Sequence, residues 1–366
     1  MAAIPSPQRI AVFRLHGLGD ALLTTPAIRA LRTTWPHARI TAIIGGTAAP
    51  ALRDNPCLDH LLEIDERPFL RRRPLALLRL GLRLRRERFD LLVLFSRSRA
   101  LRTWARLTGA TTVAGLTHHR DAPDGTWRDT TYEGDQYLEL AASLGAASAG
   151  NDLQLTIPTA ATAAARALLD SQEARSGWLA LAPGGGDNAA WDMPQKRWPA
   201  DRFAAFADRA ADRWGLRSLV IGGTQDKALA HDIAARVATP ILDATGTPLS
   251  TSAALIARSR LLVCNDSVAV HIGLITGTPT VALFGPTNPC AVLPPAPRRV
   301  RVVHSALPCA PCFWQARPDL RTATGHGAFA CTVAGPGCLE QLELAPVLAA
   351  ARDLLGADGI ALGPGA

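Results

Sequence analysis

The stretch RIAVFRLHGLGD, residues 9–20, decides the fold class. Arg9 to Leu15 is apolar apart from its two arginines, the pattern of a short strand buried on both faces. It runs directly into His16-Gly17-Leu18-Gly19-Asp20, a glycine-bearing turn. A helical pattern follows from Asp20 to Trp35, with Pro26 near a bend or in a first turn. Strand, glycine turn and helix in that order open a βαβ unit and predict a parallel sheet.

Working outward, the same rhythm recurs. Arg39 to Ile44 and Phe89 to Phe95 read as further strands. Ala146 to Ala165 is rich in small and polar residues and suits a linker leading into a helix. The rhythm then restarts, with strands expected at Trp178–Ala182, Ser218–Ile221, Leu261–Cys264 and Thr280–Phe284, each followed by a loop bearing Gly, Asn or Asp. The expectation is an α/β protein of two Rossmann-like domains, residues 1–160 and 161–345. A cysteine-rich insertion falls at 305–340, and a C-terminal helix and tail occupy 346–366. Ligands of open parallel sheets bind beyond the carboxyl ends of the strands, so these loops are expected to line one shared cleft.

Composition narrows the function. Of 366 residues, 48% are hydrophobic and 19% charged, enough apolar material for two cores. No run of about 18 apolar residues occurs, and Met1 to Arg14 lacks the pattern of a secretory signal, so a cytoplasmic chain is expected. Thirteen arginines crowd the segment from Arg67 to Arg106. They read either as a solvated helix face or as a surface for phosphate or anionic lipid. Few aromatics are interleaved and no binding module is present, so nucleic acid is not an expected partner.

The loops carry the chemistry. The first mimics a dinucleotide fingerprint but has Leu22 in place of the third glycine, and no acidic residue ends the second strand, which argues against a nicotinamide dehydrogenase. Asp20 alone reads as a helix N-cap or as a general base. In the second loop, Gly184, Gly185 and Gly186 precede Lys196-Arg197-Trp198-Pro199, a glycine turn and a cation suited to an anion. The third loop ends in Gln225-Asp226, placed for a ribose or a base. The fourth, Asn265-Asp266-Ser267, caps a helix that could receive a diphosphate. The fifth is Gly285-Pro286-Thr287-Asn288. Near the C-terminus, Cys309, Cys312, Cys331 and Cys338 give C-x2-C-x18-C-x6-C, a spacing that suggests a structural Zn or Fe, with free buried cysteines as the alternative.

Taken in order, GLGDALLTTPAIRAL (17–31), PGGGDNAAWDMPQKRWP (183–199), IGG (221–223), NDSVAVHIG (265–273) and ALFGPTNP (282–289) resemble glycosyltransferase family 9, the heptosyltransferases of lipopolysaccharide core assembly. The resemblance implies a GT-B fold with the two domains facing a central cleft. It further implies an inverting transfer that needs no metal, with a heptose moving from a nucleotide-sugar donor such as ADP-heptose to an anionic glycan or glycolipid acceptor. It makes residues 1–160 the acceptor domain and 161–345 the donor domain. Asp20 becomes the catalytic base. Gly184, Gly185, Lys196, Gln225, Asp226, Asp266, Ser267, His271 and Thr287 become donor-binding residues. Gly17, Gly19, Arg71, Arg72 and Arg73 fall to the acceptor side, with peripheral contact to an anionic membrane. Val268 stands where the family has glycine, and Gln225-Asp226 replaces a glutamate-bearing tip. Both departures leave open another nucleotide sugar, a soluble natural-product acceptor, or a member that binds without turnover.

Overall fold

The computed structural model describes residues 6–116, 131–170, 176–188, 191–312, 331 and 336–357. The chain divides into two compact units, one of Met1–Thr156 with Asn188–Ala190, the other of Ile157–Asp187 with Trp191–Ala366. The boundary falls inside the small-residue stretch Ala146 to Ala165.

In the first unit the order is β1 (Arg9–Arg14), α1 (Leu18–Leu23), α2 (Thr25–Thr34), β2 (Arg39–Gly45), β3 (His60–Ile64), α3 (Arg67–Leu70) and α4 (Pro74–Arg85), continuing with β4 (Leu91–Leu94), α5 (Arg99–Ala105), β5 (Thr112–Gly115) and α6 (Glu133–Ser143). All five strands are parallel, in the order β3-β2-β1-β4-β5. The single helix expected over 20–35 is two helices. Pro26 sits in the first turn of α2, where its missing N–H costs nothing, and Thr24 closes the break with its Oγ1 donating to Ala21 O at 2.6 Å.

The second unit runs α7 (Thr159–Asp170), β6 (Trp178–Ala182), a ribbon of β7 (Asp187–Asn188) and β8 (Trp191–Asp192), α8 (Ala200–Trp214), β9 (Arg217–Val220), α9 (Lys227–Ala234), β10 (Leu242–Asp243) and α10 (Leu249–Ala257). After these come β11 (Leu261–Asn265), α11 (Val268–Thr276), β12 (Thr280–Phe284), α12 (Pro289–Val292), β13 (Val300–His304) and α13 (Leu344–Ala357). Its sheet, again parallel, has the order β10-β9-β6-β11-β12-β13. Both sheets therefore reverse winding beside their first strand, between β1 and β4 and between β6 and β11, and ligands of such sheets bind outside the carboxyl ends at that reversal.

Strands β3, β5, β10 and β13 escape sequence reading, and each is a sheet edge. Edge strands are short and carry polar residues that hide the alternation. The central strands β1, β4, β6, β11 and β12 are buried almost throughout. A cluster of Phe13, Phe69 and Trp104, with centroids 4.8 to 5.9 Å apart, packs α3 and α5 on the first sheet. Trp198, Phe203 and Phe206 do the same for α8 on the second.

Candidate functional site

At the reversal point of the first sheet, β1 ends on Arg14, a charge that follows the apolar run Ile10 to Phe13. Its side chain is only 14% exposed, so partners are required. One guanidinium nitrogen binds Asp20 Oδ2. The other donates to Phe95 O and to the Tyr137 hydroxyl, at 2.8 and 2.7 Å. Tyr137 in turn donates to Glu133 in the first turn of α6. Burial opposes the Arg14 charge, but Asp20, Tyr137 and Glu133 outweigh it and its pKa is raised. Glu133 is pushed above the usual carboxylate range, by burial first and by Asp20 second, while Arg14 and Arg97 pull it back. Burial and Arg14 lower the pKa of His16.

Asp20 is not the N-cap of α1. Gly17 holds that position at φ 87°, and Asp20 lies in the first turn. A Cβ on Gly17 would fall 2.4 Å from Asp20 Oδ2, so only glycine lets the carboxylate fold back toward Arg14. Beside this network lies a cavity of about 800 Å³ whose lining includes Arg14, His16, Phe69, Arg72, Ser96 and Trp104. Of the acceptor-side residues read from sequence, Arg72 lines this cavity, whereas Arg71 and Arg73 are exposed outside its lining. Gly19 lies inside α1.

In the second unit the loops after β6, β9 and β11 converge. A Cβ on Gly184 would lie 2.5 Å from Asp226 Oδ1, and one on Gly185 would lie 3.3 Å from both Asp266 O and Ser267 Cβ. Asn265, fully buried at the end of β11, ties the loop after β6 to that strand at both of the loop's ends. Its amide nitrogen donates to Pro183 O at 2.7 Å, and its Oδ1 accepts from Trp198 N at 3.1 Å. Arg197 Nε donates to Gly185 O at 2.9 Å. This arrangement places Lys196, 15% exposed, with Nζ 2.5 Å from Asp266 Oδ2. The contact is an ion pair by distance, yet that buried oxygen makes no aligned hydrogen bond among the described residues. A cation held by one imperfect partner over glycine backbone can take up an anion.

Ser267 caps α11, its Oγ accepting from Ala269 N at 3.3 Å, while Asp266 does not cap it. Val268, the first helical residue, is half-buried. His271 and Thr287 are buried, and Thr287 Oγ1 has no hydrogen-bond partner among the described residues. Asp226 closes its own loop, Oδ2 accepting from Gly223 N at 2.8 Å, which makes it a support for Gly184. Gln225 is exposed at the tip.

Burial lifts the thiol of Cys312 to about 12, and the neighbouring Cys309, Cys338 and Cys331 add to the shift. Among the described residues, however, no three His, Cys, Asp or Glu stand close enough to hold a metal ion, so the metal-binding expectation for Cys309, Cys312, Cys331 and Cys338 finds no ligand set. The intervening segment 313–330 lies outside the described residues.

Sequence reasoning missed Glu133 and Tyr137, which sit 119 and 123 positions from Arg14 and carry no motif. The one available signal was Arg14 itself, a buried charge in search of partners. Asn265 was seen as part of a motif without a role. No described helix is long and apolar enough to cross a membrane.

The model of glycosyltransferase family 9 (heptosyltransferase) matches residues 77–320. Lipopolysaccharide heptosyltransferase 3 of Escherichia coli is 26% identical over 290 residues, covering 75% of this chain and 82% of that protein. Among solved structures, a family 9 glycosyl transferase from Veillonella parvula superposes with a TM-score of 0.73 at 25% identity, covering 96% of this chain and 98% of that one. The E. coli ADP-heptose lps heptosyltransferase II superposes with a TM-score of 0.70 at 20% identity, covering 96% and 99%. The GT-B fold class expected from the sequence is thereby shown.

Proposed function

The chain belongs to glycosyltransferase family 9, and from that premise we propose that this glycosyltransferase moves a heptose from ADP-heptose to a sugar of the lipopolysaccharide core. The observation that carries the proposal is that each unit has its own charge centre at its sheet reversal: Asp20 on Arg14 in the first, and Lys196 beside the N-terminus of α11 in the second.

In the proposed reaction the donor diphosphate lies on the Gly184-Gly185 backbone, with Lys196 and the α11 N–H groups taking up the charge that develops as the C–O bond to ADP breaks. Thr287 Oγ1, buried and unpaired among the described residues, offers one further donor. The acceptor occupies the cavity of the first unit, and its hydroxyl attacks the anomeric carbon from the face opposite the leaving ADP. Asp20 takes the hydroxyl proton as the new bond forms. No metal is assigned a step, because Lys196 and the helix N-terminus supply the positive charge. Among the described residues no ligand set for a structural Zn or Fe forms at the cysteines, and the proposed transfer does not call on one. The phosphates and carboxylates of such an acceptor suit Arg72, and the wider arginine segment suits the anionic membrane that carries it. A second reading, a different nucleotide sugar, is favoured by Val268 in the first turn of α11. Thermal shift against a nucleotide-sugar panel separates the two. ADP-heptose stabilises the fold more than UDP- or GDP-sugars if the first holds, and the reverse order supports the second.

A further inference from the structure

Resting on the peripheral membrane contact of that reading, we propose that the outer face of α4 inserts into the headgroup region of an anionic bilayer, with Leu75, Leu78 and Leu82 as the inserting side chains. These leucines are 68%, 42% and 49% exposed, and with Leu107 at 38% they are the exposed large apolar residues of the described chain. Their spacing of three and four puts them on one face of the helix. Leu84 and Gly81 are buried on the other side. A Cβ on Gly81 would fall 2.7 Å from Leu107 Cβ, so the glycine lets Leu107 pack alongside α4. The exposed apolar side chains thus collect around one helix.

Charge selects the occupant. Arg71, Arg72 and Arg73 precede α4, Arg79 and Arg83 flank the leucines along it, and Arg86 follows, all exposed. Among the described residues none of these six forms an ion pair, and no acidic residue occurs between Arg67 and Arg86. A second copy of the chain on this face would oppose arginine to arginine. Nucleic acid would leave the leucines in water. An anionic bilayer satisfies both features, with guanidinium groups at lipid phosphate and leucines below them. Pro74 and Leu77 of the same helix line the cavity proposed for the acceptor. An acceptor anchored in that bilayer would therefore meet its subsite at the helix that touches the membrane.

The test is co-sedimentation of the full chain with vesicles of phosphatidylcholine containing phosphatidylglycerol, and with phosphatidylcholine alone. Wild type should bind the mixed vesicles at low salt and not the neutral ones. Changing Leu75→Ser, Leu78→Ser and Leu82→Ser together should cut partitioning by roughly 10- to 100-fold, with the melting temperature and turnover on a soluble deacylated acceptor retained. Wild-type binding by this triple variant would overturn insertion while leaving charge-only membrane contact intact. No binding of wild type to mixed vesicles at low salt would overturn the membrane reading and insertion with it. A dimer that the leucine changes convert to monomer, without vesicle binding, would give the face to a second copy. Capture of polyglutamate without vesicle binding would give it to an acidic protein. Either result overturns the proposal.

Discussion

Arg14 at the end of β1 and Asp20 in the first turn of α1 are bound side chain to side chain, across a loop whose Gly17 leaves room for nothing larger. The pair fixes where the carboxylate points, and Arg14 is itself held by Phe95 O and Tyr137. Replacing Asp20→Asn keeps the side-chain shape and an oxygen that accepts from Arg14, but removes the basic site. Turnover should fall by roughly 10²-fold or more, the scale of lost general-base catalysis, with donor affinity unchanged by calorimetry. Near wild-type turnover would end the assignment of Asp20 as base.

Glu133 is the second carboxylate on Arg14, linked to it through Tyr137. The groups facing Asp20 and Glu133 include Arg14 on β1, His16 in the loop, Arg97 after β4, Tyr132 before α6 and Tyr137 on it. Burial and Asp20 raise the pKa of Glu133, so its carboxyl keeps its proton to higher pH than an ordinary carboxyl. Glu133→Gln removes one negative charge and keeps the hydrogen bond from Tyr137. An inflection of the pH–rate profile that belongs to Glu133 lies above the usual carboxylate range, and Glu133→Gln should remove it. A profile of unchanged shape at a lower rate would make Glu133 purely structural.

Much of this was legible in the sequence and some was not. The central strands and the glycine loops were readable because buried parallel strands are continuous apolar runs ending in forced turns, as at Trp178–Ala182 and Gly184. The edge strands were not, because His60–Ile64 and Val300–His304 carry exposed charged residues where alternation would be sought. Asp20 and Lys196 stood out as candidates from their motifs. Glu133 and Tyr137 did not, since their link to Arg14 is made only when α6 packs near β1. Asp226, read from sequence as a donor-binding residue, also closes its own loop on Gly223, a role that its motif does not signal.

Lys196 Nζ stands 2.5 Å from the buried Asp266 Oδ2, and in the proposed donor complex it shares its charge between that carboxylate and the diphosphate. Lys196→Ala should weaken nucleoside diphosphate binding by roughly 1.5–3 kcal/mol, the range for a hydrogen bond to a charged group. Isothermal titration checks this. It needs a parallel melting curve, because the change leaves the buried Asp266 carboxylate uncompensated. Unchanged affinity in a folded variant would remove Lys196 from the donor site.

Positive charge from Lys196 and the α11 N-terminus leaves no step for a metal ion. Brief treatment with EDTA should leave the initial rate of transfer intact, and added Mg²⁺ should not raise it. A rate lost to EDTA and restored by a divalent cation would require a metal-assisted leaving group in place of the proposed one.

The most direct measurement is ADP release from ADP-heptose by the purified protein, with and without a lipopolysaccharide core acceptor, with the product anomer assigned by NMR. The account predicts acceptor-dependent ADP release and a glycosidic bond of inverted configuration. Release of no ADP from ADP-heptose, alongside acceptor-dependent transfer from a UDP- or GDP-sugar, would contradict it.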